Sequence, residues 1–179
     1  MQLIKSILRL HKNAVKLKKL KRTGWAKRGV PEPESVAAHS FAVALLALFL
    51  ADLRGLDPSD VLRMALIHDL PEVLTGDLTP RMKKEFKGLE QLERRFIEDL
   101  AKELPKPIAS KYLDAWNRYQ NASDPAARLV RDLDKLEMGL QAVEYVREGW
   151  ENAVEIYESA LRRIEDEELR NALEAAWEA

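Results

Sequence analysis

Apolar and charged residues recur along most of the chain with a helical period. In residues 2–20, Leu3, Ile4, Ile7, Leu8, Leu10, Val15 and Leu17 fall at roughly helical spacing with Lys and Arg between them, the signature of an amphipathic helix. Thr23 to Pro33 holds two glycines and two prolines, which predicts a loop, and Pro33-Glu34-Ser35 offers a start for the next helix. That helix, about Glu34 to Arg54, is apolar on nearly every side and is expected at the centre of its domain. Gly55 ends it, and Asp57-Pro58-Ser59-Asp60 caps a third helix running to about Asp69, with proline near its first turn. Pro71 disfavours helical geometry at Leu70, so this helix should stop or kink there. Thr75-Gly76-Asp77 and Pro80 mark another turn. Helices resume at about Met82 to Leu104, Lys106 to Tyr119, Asp124 to Arg147, Glu151 to Arg163 and Asp166 to Trp177. No alternating strand pattern, internal repeat or long linker interrupts the series, so the pattern predicts an all-α domain of seven to eight helices.

Composition narrows the class. With 179 residues, 46% hydrophobic and 33% charged, and only 7 Gly and 8 Pro, the chain can bury a substantial core and is neither disordered nor collagen-like. It contains no cysteine, which removes disulfide frameworks, thiolate zinc sites and cysteine nucleophiles and suits a reducing compartment. The longest uninterrupted apolar run, Phe41 to Ala51, has 11 residues, short of the ~20 needed to span a bilayer. With no signal-peptide pattern, a cytoplasmic protein without a membrane partner is expected. Abundant Lys, Arg and Glu beside scarce Asn and Gln is a balance often met in thermophile proteins. Charge is unevenly spread: residues 1–30 carry ten Lys and Arg and no acid, while the rest has 19 basic against 30 acidic residues. Such a segment attracts nucleic acid, anionic lipid or a phosphorylated small molecule, or is the solvated face of a first helix docked on an acidic body.

Two of the three histidines, His39 and His68, lie in the most apolar predicted helices. A lone buried histidine is usually a hydrogen-bonded core residue, but His68 is followed directly by Asp69, and an unpaired carboxylate in that setting costs several kcal/mol or takes up a proton. A bound cation removes the penalty. Imidazole and carboxylate donors together suit zinc, cobalt, nickel, manganese or ferrous iron. Two histidines and one acid leave a site short of ligands, and the helix from Asp124 offers Asp132 and Asp134; spacing alone does not choose between them.

The order His39, then His68-Asp69, then a distant aspartate resembles the H…HD…D signature of HD-domain metal-dependent phosphohydrolases. The likeness extends to Gly24-Trp25, Pro33-Glu34-Ser35-Val36, Ala65-Leu66-Ile67-His68-Asp69 with Glu72, Thr75-Gly76-Asp77 and Leu133-Asp134-Lys135-Leu136-Glu137-Met138. These segments, spread over roughly Lys19 to Tyr145, resemble the 5'-deoxynucleotidase branch, which includes bacterial and eukaryotic deoxyribonucleoside monophosphatases and oxetanocin-type HD proteins. The resemblance implies one HD domain over residues 1–179, with a motif-bearing core at about 19–145 and C-terminal helices at about 151–178. It makes His39, His68, Asp69 and Asp134 the metal ligands, leaving Asp132 an ordinary helix-surface acid. It gives Glu72 the attacking water, and Asp77 a sugar hydroxyl or a second divalent ion shared with Glu72; read alone, these are a solvated acid and a turn or capping residue. Trp25 matches a tryptophan lining the nucleotide pocket, or is a loop aromatic covering the core. Gly24 stands where related bacterial enzymes carry an arginine that contacts phosphate or sugar, so Arg22, Lys27 or Arg28 is expected to take that contact.

The expected activity is hydrolysis of (deoxy)ribonucleoside 5'-monophosphates to nucleoside and phosphate, dependent on cobalt, manganese, nickel, zinc, magnesium or ferrous iron, in a homodimer. The alternatives are triphosphate or cyclic phosphodiester cleavage on the same cradle, or a non-enzymatic helical adaptor that binds nucleic acid through its basic segment. His11 reads as an exposed side chain, Trp116, Tyr119, Trp150 and Tyr157 as core or interface aromatics, and Glu165 to Glu178 as a packed terminal helix with a charged outer face.

Overall fold

The computed structural model describes residues 2–179. In chain order the helices are α1 (Gln2–Lys19), α2 (Thr23–Ala26), α3 (Val36–Arg54), α4 (Pro58–Ile67), α5 (Glu72–Thr75), α6 (Pro80–Glu85), α7 (Leu89–Lys102), α8 (Lys106–Asn121), α9 (Pro125–Arg147), α10 (Val154–Arg163) and α11 (Glu167–Glu178). All but α2, α5 and α6 have ten residues or more, so the all-α architecture of eight principal helices follows the apolar periodicity. The described residues contain no strand, only an isolated bridge between Lys21 and Ser35.

Side-chain caps set the starts of the helices that matter to the site. Ser35 Oγ accepts the Ala38 N–H at the head of α3, Asp57 accepts Ser59 N–H before α4, and Asp124 accepts Ala127 N–H before α9. Each satisfies a backbone donor that the first helical turn leaves without a partner. Pro58 and Pro125 occupy the first position, where a missing N–H costs nothing.

The central helix is α9, which packs against α3, α4, α8, α10 and α11. Its Leu129, Val130, Leu133, Leu136, Ala142 and Val143 are buried, and they meet Val43, Ala47, Val61 and Met64 in one core. Each large apolar side chain hidden there contributes about 1.5–3 kcal/mol.

Several expectations change. Helix α3 is central on one side only: Val36, Val43, Ala47 and Ala51 face the core, while Phe41, Leu45, Phe49 and Leu53 are each more than half exposed. At 19 residues it is long and apolar enough to cross a bilayer by length and composition, which the count of an uninterrupted apolar run did not reveal. Helix α1 docks through Ser6, Asn13 and Leu17, leaving Leu3, Ile4, Ile7 and Leu8 outside. The predicted loop from Thr23 begins with the turn of α2. The helix expected from Met82 to Leu104 is broken into α6 and α7 at Phe86–Gly88, where Gly88 takes a left-handed φ of 82°, a conformation that glycine adopts without steric cost. Asp132 is no surface acid. It is buried, and its two carboxylate oxygens accept the N–H groups of Glu165 and Asp166, holding the turn between α10 and α11.

Candidate metal centre

Helix α4 ends at Ile67, and the chain then makes a tight turn that stays near helical geometry: His68 N–H reaches the Met64 carbonyl and Glu72 N–H the Asp69 carbonyl at 3.0 Å each. Pro71 lacks a donor but fits this turn with φ −63° and ψ −19°. The turn aims His68, Asp69 and Glu72 together toward α3 and α9, which carry His39 and Asp134. His39 Nε2 lies 3.2 Å from Asp134 Oδ1 and 3.7 Å from Asp69 Oδ2, and His68 Nε2 lies 3.2 Å from Asp69 Oδ2. All four residues are buried.

Neither Nε2 has a hydrogen bond of acceptable alignment, although both are sealed from solvent. Two buried imidazole nitrogens without partners, facing two carboxylates, form a donor set of the kind that borderline divalent cations take. The far side of each ring is occupied. His68 Nδ1 meets the Ala65 carbonyl at 2.7 Å, and His39 Nδ1 meets Glu137, so in both rings Nε2 is the atom left to coordinate.

The charges within this cluster shift one another. Burial alone would push the two aspartates up, but His68, Arg22 and His39 hold Asp69 below the usual carboxylate range, and Lys135, His39 and His68 do the same for Asp134. Burial and Arg22 oppose charge on His39, yet Asp134 and Glu137 prevail and its pKa is pushed up to about 10. Glu72 goes the other way, to about 9, through burial and the carboxylates of Asp69 and Asp77. Its Oε2 has no hydrogen-bond partner, and Lys83 Nζ lies 3.5 Å from Oε1.

Two cavities, each of about 670 Å³, meet at this cluster; both are lined by Asp69, Glu72, Lys83, Asp134, Lys135 and Arg163. The first continues past Tyr119, Lys84 and Arg131, the second past Arg22, Trp25, Asp77, Met138 and Ile156.

The other predicted residues fall in different places. Arg22 is buried beside this cluster, with Nη1 3.2 Å from Asp69 and 3.5 Å from Asp77. The bridge that joins Arg22 N–H to the Glu34 carbonyl fixes it there. Lys27 and Arg28 line the second cavity, but Lys27 Nζ contacts Met82 Sδ while Arg28 binds the Gly24 carbonyl and Glu155. Asp77 accepts Thr23 N–H through Oδ2 at 2.6 Å, and its carbonyl accepts the Thr23 hydroxyl, so it ties the start of α2 to the turn after α5. Trp25 is 1% exposed; its ring packs edge-on against Tyr145, and its Nε1–H donates to Glu34. It is a core aromatic whose edge reaches the cavity wall. Tyr119 packs against the core as expected, and it also lies on the His68 ring, with centroids 5.6 Å apart, and lines the first cavity. Sequence reasoning also missed Lys83 and Glu137. For Glu137 the signals were its place in the matched segment Leu133 to Met138 and its position three residues after Asp134, on the same face of α9.

The profile of the family described as the HD domain matches residues 14–177. The chain belongs to the HD-domain family. Among its relatives is a protein named 5'-deoxynucleotidase HDDC2 in Dictyostelium discoideum, 39% identical over 140 residues that cover 74% of this chain and 74% of the relative. The human protein of the same name is 34% identical, covering 79% of this chain and 69% of its own length. The crystal structure of the PH0347 protein of Pyrococcus horikoshii OT3 is 34% identical, covers 98% of each chain and superposes with a TM-score of 0.77. The cluster of His39, His68, Asp69 and Asp134 thus lies in an HD domain that extends over nearly the whole chain.

Proposed function

We propose that this HD-domain chain is a divalent-metal-dependent phosphomonoesterase that hydrolyses (deoxy)ribonucleoside 5'-monophosphates to nucleoside and phosphate. The observation that carries the reading is the buried cluster of His39, His68, Asp69 and Asp134, with two unpartnered Nε2 atoms, at the place where two cavities meet and share Asp69 and Asp134 in their walls. Relatives named 5'-deoxynucleotidase support the substrate class.

These four residues are the proposed ligands, and the mixed imidazole and carboxylate set suits cobalt, manganese, nickel, zinc or ferrous iron more than magnesium. A bound ion supplies Lewis acidity to a phosphoryl oxygen and lowers the pKa of the attacking water. Glu72 orients that water and accepts its proton at the unpartnered Oε2. Arg22, held between Asp69 and Asp77, adds positive charge where the phosphoryl oxygens gather, a role that Lys27 and Arg28 are less well placed to fill. Asp77, whose Oδ1 lies 3.5 Å from Arg22, lines the second cavity and takes a sugar hydroxyl there, and the edge of Trp25 bounds the nucleoside. The water oxygen bonds to phosphorus as the bond between phosphorus and O5' breaks, O5' takes a proton from solvent to leave as the nucleoside hydroxyl, and the cavity beyond Tyr119 receives the phosphate. We further propose a cytoplasmic homodimer, built through the exposed apolar face of α3.

A second reading has one observation in its favour. The first cavity is far larger than orthophosphate requires and carries Lys84, Arg131 and Arg163, which suits a longer phosphate chain. The deciding experiment is metal-stripped protein resupplied with each ion in turn and offered deoxyribo- and ribonucleoside mono- and triphosphates. Metal-dependent orthophosphate release from monophosphates is expected. Tripolyphosphate release from triphosphates alone would replace that reading with the second, and no release from any nucleotide would overturn both.

A further inference from the structure

The two imidazoles of the ligand set are held from behind by different means. His68 follows the last residue of α4 and gives Nδ1–H to a carbonyl of its own turn, Ala65. His39 lies inside α3, where the backbone carbonyls are committed to the helix, so its Nδ1 reaches across to Glu137 on α9. Asp134 and Glu137, three residues apart, project from one face of α9, and Asp134 Oδ1 lies 3.2 Å from the opposite nitrogen of the same ring. One helix therefore addresses both nitrogens of a histidine borne by another.

Glu137 is itself braced. Oxygens of Glu34 and Glu137 and a ring nitrogen of His39 lie within 4.8 Å of one another. Trp25 Nε1–H donates to Glu34 Oε1 at 3.0 Å, and Glu34 N–H donates to the Tyr145 hydroxyl at 2.9 Å. A second cation among these groups is disfavoured, because Trp25 points an N–H at Glu34 and Nδ1 of His39 is already engaged.

We propose that Glu137 is the positioning residue of the metal centre. By accepting Nδ1–H it fixes the His39 ring so that Nε2 alone faces His68, Asp69 and Asp134, and it strengthens Nε2 as a donor to a divalent cation. The inference rests on the metal-centre reading and is independent of the reaction catalysed there.

The test is zinc affinity, measured on metal-stripped protein by competition with a chromogenic chelator. Glu137→Ala is expected to bind zinc about 10–100-fold more weakly. Glu137→Gln, whose carboxamide oxygen still accepts Nδ1–H, is expected to recover most of that loss. Asp132→Ala, which removes another buried acid of α9, should melt at a lower temperature but bind zinc as the unaltered protein does. Wild-type affinity in Glu137→Ala, or equal weakness in the Ala and Gln variants, overturns the proposal. Nitrogen-15 NMR of the zinc-loaded unaltered protein gives an independent reading that needs no variant to fold. The proposal expects the proton of His39 on Nδ1, and a proton on Nε2 refutes it. Because neither readout involves turnover, failure of the nucleotidase reading leaves these outcomes unchanged.

Discussion

Glu72 and His39 show how single residues are tuned at this site. Glu72 is buried beside two carboxylates, so without a cation it holds a proton up to about pH 9; a cation on Asp69 favours its ionised form. Glu72→Gln should keep the bound metal and lose about 10²–10⁴ in kcat, to be checked by metal analysis and phosphate release on the same preparation. Undiminished turnover would remove Glu72 from the proposed mechanism. The same shifts make the metal-free protein sensitive to alkali. Folding raises His39 from 6.5 to about 10, Glu72 from 4.5 to about 9 and Glu34 from 4.5 to about 7. Each therefore contributes stability that is fully present below its unfolded value and lost as pH rises through its folded value. The melting temperature of metal-stripped protein should fall between pH 6 and pH 9, and the gain on adding zinc should grow over the same interval as the ion displaces the Nε2 proton of His39. A melting temperature that rises across that interval in the stripped protein would contradict these assignments.

At the scale of elements, α9 combines two tasks. Asp134 faces His39 and Asp132, two residues earlier and about 200° around the helix, faces the turn between α10 and α11. Asp132→Ala leaves the Glu165 and Asp166 N–H groups without their acceptors and should cost about 1.5–3 kcal/mol, read by denaturant unfolding of the metal-free protein. The two aspartates also mark what the sequence could convey. His39 and His68-Asp69 were legible because ionisable groups interrupt apolar helices. Spacing did not choose between Asp132 and Asp134, since both flank the same apolar positions; the resemblance of the segment Leu133 to Met138 did, but the buried place of Asp132 under α10 and α11 came only from the packing. Helix starts were legible where Ser35, Asp57 and Asp124 cap them. The break between α6 and α7 was hidden because Met82, Phe86, Leu89 and Leu92 continue a helical rhythm through Gly88. Arg22 was indistinguishable from Lys27 and Arg28 until the bridge between Lys21 and Ser35 set it beside Asp69.

For the whole molecule, the outward face of α3 stands apart. Phe41, Leu45, Phe49 and Leu53 recur every four residues and are 59–68% exposed, forming an apolar stripe of the kind that marks an interaction surface. If that stripe joins two copies, Phe41→Glu combined with Phe49→Glu should yield monomers by sedimentation velocity while zinc affinity stays unchanged, because both side chains are exposed whereas His39 is fully buried. A variant that remains dimeric would move the interface elsewhere.

Asp69 and Asp134 stand on the wall common to two cavities rather than at the bottom of one. A dead-end pocket makes its products leave in sequence, the deeper one waiting for the shallower. On the proposed reaction this chamber has a door for each: phosphate departs past Tyr119 and Arg131 while the nucleoside still rests against Trp25. Release then has no obligatory order, and each product can return to its own side without excluding the other.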